Sequence, residues 1–197
     1  WRFEGNERRY LEEVLASGFR AGADGAFTTR LESYFSKIYK VPFSIAFNSG
    51  TSTLHAALLA MGCGPDDEVL TPALTPLMCG LAPHYTGATP VFVDSRPDTF
   101  LMDPADIERK ITSKTKVIFV THMYGGVCDM NTIMGIAKKN NLMVLEDCAQ
   151  CHMGMDNKGR LAGTYGNLGC FSLHPLKNLN VWGDGGLIVT NDTDLAN

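Results

Sequence analysis

The sequence predicts an α/β fold, a mostly parallel mixed sheet flanked by helices. Three observations carry this expectation. Short apolar runs alternate with segments of helical period, the gaps between them are short, and polar residues collect where the apolar runs end. Strands that are apolar throughout suit a parallel sheet covered on both faces by crossover helices.

The elements follow in order. Glu7 to Ser17 sets Tyr10, Leu11, Val14 and Leu15 on one face and predicts a helix. A loop rich in Gly and Ala comes next. Thr28 to Lys40 predicts a second helix, with Leu31, Tyr34, Phe35 and Ile38 at helical spacing. Phe43 to Phe47 is a buried strand ending in Asn48-Ser49-Gly50-Thr51-Ser52, and an Ala/Leu-rich helix runs on to Met61. The rhythm then repeats. Strands are expected at Glu68 to Thr71, Pro90 to Val93, Val117 to Thr121 and Leu142 to Leu145, the last closed by Glu146-Asp147. Helices are expected at Leu77 to Tyr85, Pro104 to Ile111 and Met130 to Asn140. Pro104 stands in the first turn, where a missing N–H does no harm. Gly169 to Leu173 and Leu187 to Thr190 read as strands with no long helix between them. No repeat, low-complexity tract or linker divides the chain. The expected organisation is a helical segment over residues 1–40 ahead of an α/β sheet domain over 41–197.

Composition narrows the class. Of 197 residues, 45% are hydrophobic and 19% charged, a globular balance that excludes a disordered tail or a rod. Lys plus Arg number 17 against 21 Asp plus Glu, a formal charge of −4 with no basic run, which argues against nucleic acid or a membrane surface as partner. No apolar run reaches the roughly 20 residues of a membrane helix, and no signal-peptide pattern is present. The six cysteines lie scattered in apolar segments, as reduced thiols of a cytoplasmic protein do. The chain starts at Trp1 without Met and stops at Asn197 just past an apolar run, the pattern of a piece of a longer protein.

Ligand sites in such sheets lie at the carboxyl ends of the strands, and the chemically interesting residues fall there. Asn48-Ser49-Gly50-Thr51-Ser52 joins a strand to a helix start, where unpaired N–H groups and positive partial charge suit a phosphate. The same residues also make an ordinary N-cap. No Walker ending and no G-x-G-x-x-G is present. Asp147 closes a strand, from which a carboxylate can meet a ligand, or serve as a cap or ion pair. Lys177 follows the apolar run Phe171-Ser172-Leu173 and precedes Gly183-Asp184-Gly185-Gly186. Shielding from water would make its amine a nucleophile, whereas a solvated surface lysine would do nothing.

The order of these features resembles the pyridoxal-phosphate enzymes of fold type I, and more narrowly the DegT-type sugar-nucleotide aminotransferases. The resemblance spans essentially the whole chain. It rests most on Glu146-Asp147-Cys148-Ala149-Gln150 and on Phe171-Ser172-Leu173-His174-Pro175-Leu176-Lys177-Asn178-Leu179 with its Gly-rich sequel. The stretches Asn48 to His55, Asp67 to Pro72 and Gly87 to Asp94 support it.

The resemblance implies pyridoxal 5'-phosphate as cofactor and places roles on single residues. Lys177 matches the lysine that carries the cofactor, and Asp147 the acid that pairs with the pyridine nitrogen. Gln150 matches a Gln or His lying against the cofactor. Thr51 and Ser172 match hydroxyls on its phosphate, with Gly50 and Ser52 in the backbone cradle. It implies an aminotransferase that moves an amino group from an amino acid such as glutamate to a nucleotide-linked keto-sugar, in amino-sugar or surface-polysaccharide biosynthesis. It further implies a homodimer with shared sites, and a small C-terminal domain absent from this chain. One position departs from the pattern: Pro76 stands where many members stack an aromatic ring on the cofactor.

Other enzymes of the fold, namely a sugar dehydratase, an aldolase or a desulfurase, are alternatives, as is a non-catalytic regulatory or binding protein. The related dehydratases carry His in place of Lys177, and no mobile catalytic cysteine for a desulfurase is identifiable. Cys148-x-x-Cys151 has redox spacing, but no second Cys or His pair completes a metal site. No metal is expected, because His55, His84, His122, His152 and His174 do not cluster at ligand spacing.

Overall fold

The computed structural model describes residues 5–18 and 26–197. The expected Gly/Ala loop falls mainly on residues 19–25, outside the described residues. Seven strands form one sheet: β1 (Phe43–Phe47), β2 (Glu68–Pro72), β3 (Thr89–Val93), β4 (Thr115–Thr121), β5 (Met143–Asp147), β6 (Leu168–Ser172) and β7 (Gly186–Thr190). Their order is β1-β7-β6-β5-β4-β2-β3. β7 is antiparallel to both its neighbours, and the remaining pairs are parallel.

The helices are α1 (Glu7–Ala16), α2 (Ala26–Tyr39), α3 (Gly50–Ala60), α4 (Leu77–Thr86), α5 (Pro104–Lys110), α6 (Met130–Asn140) and α7 (Thr193–Ala196). Alternation along the strands supplies both faces of the sheet. On one face Val117, Phe119 and Leu145 pack with Leu54 and Leu58 of α3 and with Cys79 and Ala82 of α4. On the other, Ile118, Val120 and Val144 pack with Ile107 of α5 and Ile133 of α6. Double coverage is why these strands read as unbroken apolar runs. A fully buried Phe such as Phe119 contributes about 2–3 kcal/mol through removal from water.

α2 closes a third apolar cluster. Its Phe35 and Tyr39 rings lie 5.7 and 4.8 Å from Phe171 of β6. The Tyr39 hydroxyl accepts the Met153 N–H at 3.1 Å, and burial pushes its pKa up.

Most expected elements form with ends displaced by one or two residues. β5 differs instructively. The sequence reading stops it at Leu145, before two acids, yet Glu146 and Asp147 pair with Val120 and Thr121 of β4 and are both buried. Charged residues ordinarily leave a parallel strand; here hydrogen bonds satisfy them inside it. α7, capped by Asp192 through the N–H groups of Asp194 and Leu195, had no apolar period to announce it.

Candidate active site

One edge of the sheet assembles the site. Register places Gly186 opposite both Phe47 and Ser172, and Asp147 opposite Thr121 and Cys170. The loops leaving β1, β5 and β6 therefore meet. A cavity of ≈ 90 Å³ lies there, lined by Gly50, Thr51, Pro76, Asp147, Ser172 and Lys177 among others. Gly50 and Lys177, 127 positions apart in the chain, share one hollow.

The mouth of α3 forms one wall. Ser49 caps the helix, its Oγ accepting the Ser52 N–H at 3.1 Å, while the Ser49 N–H donates to the Ser52 Oγ at 3.2 Å. This capping box fixes the chain entering the helix. The N–H groups of Gly50 and Thr51 come ahead of the capped one, at the helix end that carries positive partial charge. Two glycines make the approach possible. A Cβ on Gly50 would stand 2.6 Å from the Ser172 Cβ, and one on Gly186 would stand 2.5 Å from the Ser49 carbonyl oxygen. Ser172 is buried, and among the described residues its Oγ has only the long 3.4 Å approach of the His174 N–H.

Asp147 forms the floor and is 4% exposed. Its Oδ1 accepts the Ala149 N–H at 2.9 Å, and its Oδ2 accepts the Cys79 thiol at 3.1 Å. Lys177 enters from the β6–β7 loop. That loop is internally braced: the Lys177 N–H donates to the His174 carbonyl at 2.8 Å, and the Asn180 amide to the Lys177 carbonyl at 3.1 Å. Val181 and Leu173 bond backbone to backbone at 2.9 Å and close its base.

Two of the residues singled out in the sequence stand differently from the rest. The Ser52 hydroxyl is engaged within the cap, donating to Asn48 Oδ1 at 2.6 Å, and does not line the cavity. The Gln150 side-chain oxygen accepts the Tyr124 N–H at 2.9 Å, which leaves its amide hydrogens as donors. Pro76 sits on the cavity wall at the position that departs from the family pattern.

The structure adds partners that spacing could not reveal. Glu146, on the opposite face of β5 from Asp147, is fully buried. Its Oε1 accepts the N–H groups of Tyr165 and Gly166, both at 2.7 Å; its Oε2 accepts the Gly163 N–H at 2.8 Å and lies 2.9 Å from His122 Nε2. Burial would raise its pKa, but these hydrogen bonds outweigh burial and hold it below the ordinary range. His122 Nδ1 accepts the Cys128 N–H at 3.1 Å, so its other nitrogen is the donor to Glu146. His122, Glu146 and Cys148 thus come together despite their spacing, but protein hydrogen bonds already engage the oxygens and both ring nitrogens.

His152 Nδ1 lies 2.9 Å from Asn178 Oδ1, next in chain to Lys177. Burial lowers its pKa, with the Asn178 contact opposing. All six cysteines are free and buried. A larger hollow of ≈ 550 Å³ at the start of α6 contains none of the expected site residues, and its Arg96 is already paired twice with Asp98. Among the described residues no helix is long and apolar enough to cross a membrane.

Comparison with known proteins places the chain and its fold. A GDP-perosamine synthase of Caulobacter vibrioides is 42% identical over 195 residues, which are 99% of this chain and 52% of that protein. The solved aminotransferase from Psychrobacter cryohalolentis superposes with a TM-score of 0.93 at 36% identity, covering 98% of this chain and 49% of that one. The structure of NtdA from Bacillus subtilis, solved with bound cofactor PMP, gives a TM-score of 0.88 at 35% identity over 96% of this chain and 42% of that one. The chain spans about half the length of the curated relatives it matches. The profile of the DegT/DnrJ/EryC1/StrS aminotransferase family matches residues 2–197, and the chain belongs to that family.

Proposed function

We propose that this chain is the cofactor-binding part of a pyridoxal-phosphate aminotransferase that aminates a nucleotide-linked keto-sugar, with an amino acid such as glutamate as donor. The observation that carries the reading is the single cavity shared by Gly50, Thr51, Asp147, Ser172 and Lys177. The donor set fits the cofactor's three chemical parts. A helix mouth with two hydroxyls suits a phosphate, a carboxylate suits a protonated ring nitrogen, and a primary amine suits a carbonyl carbon. The close approach that Gly50 permits leaves a bare backbone at the phosphate end.

When bound, the cofactor supplies an electron-accepting ring that takes up the electrons of the breaking C–H bond. The protein does the rest. Gly50, Thr51 and Ser172 bind and orient the phosphate. Asp147 holds a proton at the ring nitrogen, while the Ala149 N–H and the Cys79 thiol hold Asp147 in turn. Lys177 Nζ would hold the cofactor at its carbonyl carbon and, as a free amine, would carry the proton at the substrate carbon. Gln150, outside the residues that line the cavity, has its side-chain oxygen held by the Tyr124 N–H, and Ser52 acts indirectly by fixing the helix mouth.

The reading includes a smaller domain beyond residue 197 and a second copy of the chain completing the site. Leu77 and Leu176, next in chain to the cavity-lining Met78 and Lys177, are 70% and 85% exposed, which suits a partner surface. It also includes a cytoplasmic setting, supported by six reduced buried thiols, and a role in amino-sugar or surface-polysaccharide biosynthesis, in keeping with the similarity to a GDP-perosamine synthase. Spectroscopy tests it. The full-length protein mixed with pyridoxal phosphate should absorb in the visible, Lys177→Ala should lose that band, and glutamate should bleach it. A colourless wild-type protein at saturating cofactor would overturn the reading.

A further inference from the structure

Asp147 is itself gripped, and one of the gripping groups lies outside the family pattern read from the sequence. Its Oδ2 accepts the Cys79 S–H at 3.1 Å. Cys79 is 1% exposed, sits in the first turn of α4 and lines the cavity of the site. Burial first, then the neighbouring carboxylate, pushes its pKa far up, so sulfur keeps its proton and the hydrogen bond has a fixed direction. A chain of hydroxyls stands behind it. Thr121 Oγ1 lies 3.8 Å from the sulfur, and Thr75 Oγ1 lies 3.1 Å from Thr121 Oγ1. Thr121 pairs with Asp147 across β4 and β5, and Thr75 immediately precedes Pro76 on the cavity wall. The polar chain therefore links one wall of the cavity to the acid on its floor.

A thiol is a weak donor. It can fix the orientation of a carboxylate while withdrawing less of its charge than a hydroxyl or a backbone N–H does. The Ala149 N–H supplies the stronger bond, and it goes to the other oxygen. The two oxygens of Asp147 are thereby made unequal.

We propose that Cys79 is a positioning residue for Asp147, its S–H fixing which carboxylate oxygen faces the ring nitrogen. The inference rests on the reading of Asp147 as partner of that nitrogen. Ordinary core packing of Cys79 makes no demand on the proton, which separates the two roles experimentally.

The first measurement needs no cofactor. The infrared S–H stretch of Cys79, isolated as the difference between wild type and Cys79→Ser, should move to higher wavenumber in an Asp147→Asn background, because the acceptor is weaker. The second uses the full-length protein loaded with pyridoxal phosphate. Cys79→Ala should slow the half-reaction with glutamate about tenfold and shift the pH midpoint of the visible band. Cys79→Ser should stay within about threefold of wild type. Loading with a cofactor analogue bearing carbon in place of the ring nitrogen should abolish the difference between Cys79→Ala and wild type. A stretch indifferent to Asp147→Asn, Ser as damaging as Ala, or a penalty that persists with the analogue would each overturn the proposal while a normal visible band leaves the cofactor reading standing. A wild-type protein without any visible band would remove both.

Discussion

Gly50 at the mouth of α3 touches Ser172 at the end of β6 so closely that a Cβ on the glycine would stand 2.6 Å from the serine Cβ. That contact joins the helix mouth to the strand that leads into Lys177. Gly50→Ala would normally favour a helix by about 1 kcal/mol. Here it should destabilise by about 1–3 kcal/mol, the cost of overpacking. Affinity for pyridoxal phosphate should fall at least tenfold, because the helix mouth must move away from Ser172. Titration of the visible band and a thermal melt check the two effects. An alanine variant as stable as wild type, with unchanged affinity, would show that the approach is not required.

The adjacent acids Glu146 and Asp147 should separate cleanly on mutation. Glu146 satisfies three backbone N–H groups of the 163–166 loop and the His122 ring. Glu146→Ala would leave those buried donors unpaired and should cost more than about 3 kcal/mol of stability. Asp147→Asn keeps shape and volume, and should cost about 1 kcal/mol or less while removing the transamination half-reaction. Chemical denaturation read beside the visible band distinguishes them. Equal destabilisation by both variants would contradict the division of labour.

These two acids also show how much was legible in the sequence. The alternation of apolar runs and helical period exposed the strands and helices, because double coverage leaves an unmistakable apolar signature. The family resemblance of their motif segments implies the roles of Asp147 and Lys177, and only the ends of β5 and β6 bring the two residues to one cavity. Nothing in the letters announced Glu146 as the anchor of a loop almost twenty residues away, or His122 as its partner, since both act through backbone donors of a later segment. Cys79 reads only as one of six scattered reduced thiols for the same reason: its partner lies 68 positions along the chain. Ser52 looked like part of a phosphate cradle, but a capping box engages its hydroxyl, and cap and cradle are written with the same residue types.

His152 ties the segment after Asp147 to the lysine loop through Asn178. His152→Ala should loosen that loop without unfolding the sheet. Amide exchange over residues 174–181 should quicken, and cofactor affinity should fall about three- to tenfold, the scale of one lost hydrogen bond. Asn178→Ala should reproduce the effect, and the double variant should be little worse than either single one. Additive losses would assign the two residues separate roles.

Asp106 carries a pH dependence whose sign can be worked out. It is 4% exposed and accepts the Asp94 N–H at 2.7 Å, while Arg109 and Lys110 lie 2.9 and 3.0 Å from its oxygens. Burial alone would raise its pKa; the N–H and the two cations outweigh burial and bring it down to about 2. The unfolded value is about 3.9. The folded state therefore binds the proton less tightly, so the stabilisation is fully present above the unfolded value and fades as pH falls through the folded one. Its size is about 2 kcal/mol at neutral pH. Asp106→Asn should lower the melting temperature by about 4–8 °C at pH 7, and the gap should close as pH drops from about 4 toward 2. Melts across that window decide the matter: a gap that stays constant with pH would mean that Asp106 acts through packing between α5 and β3 and not through its charge.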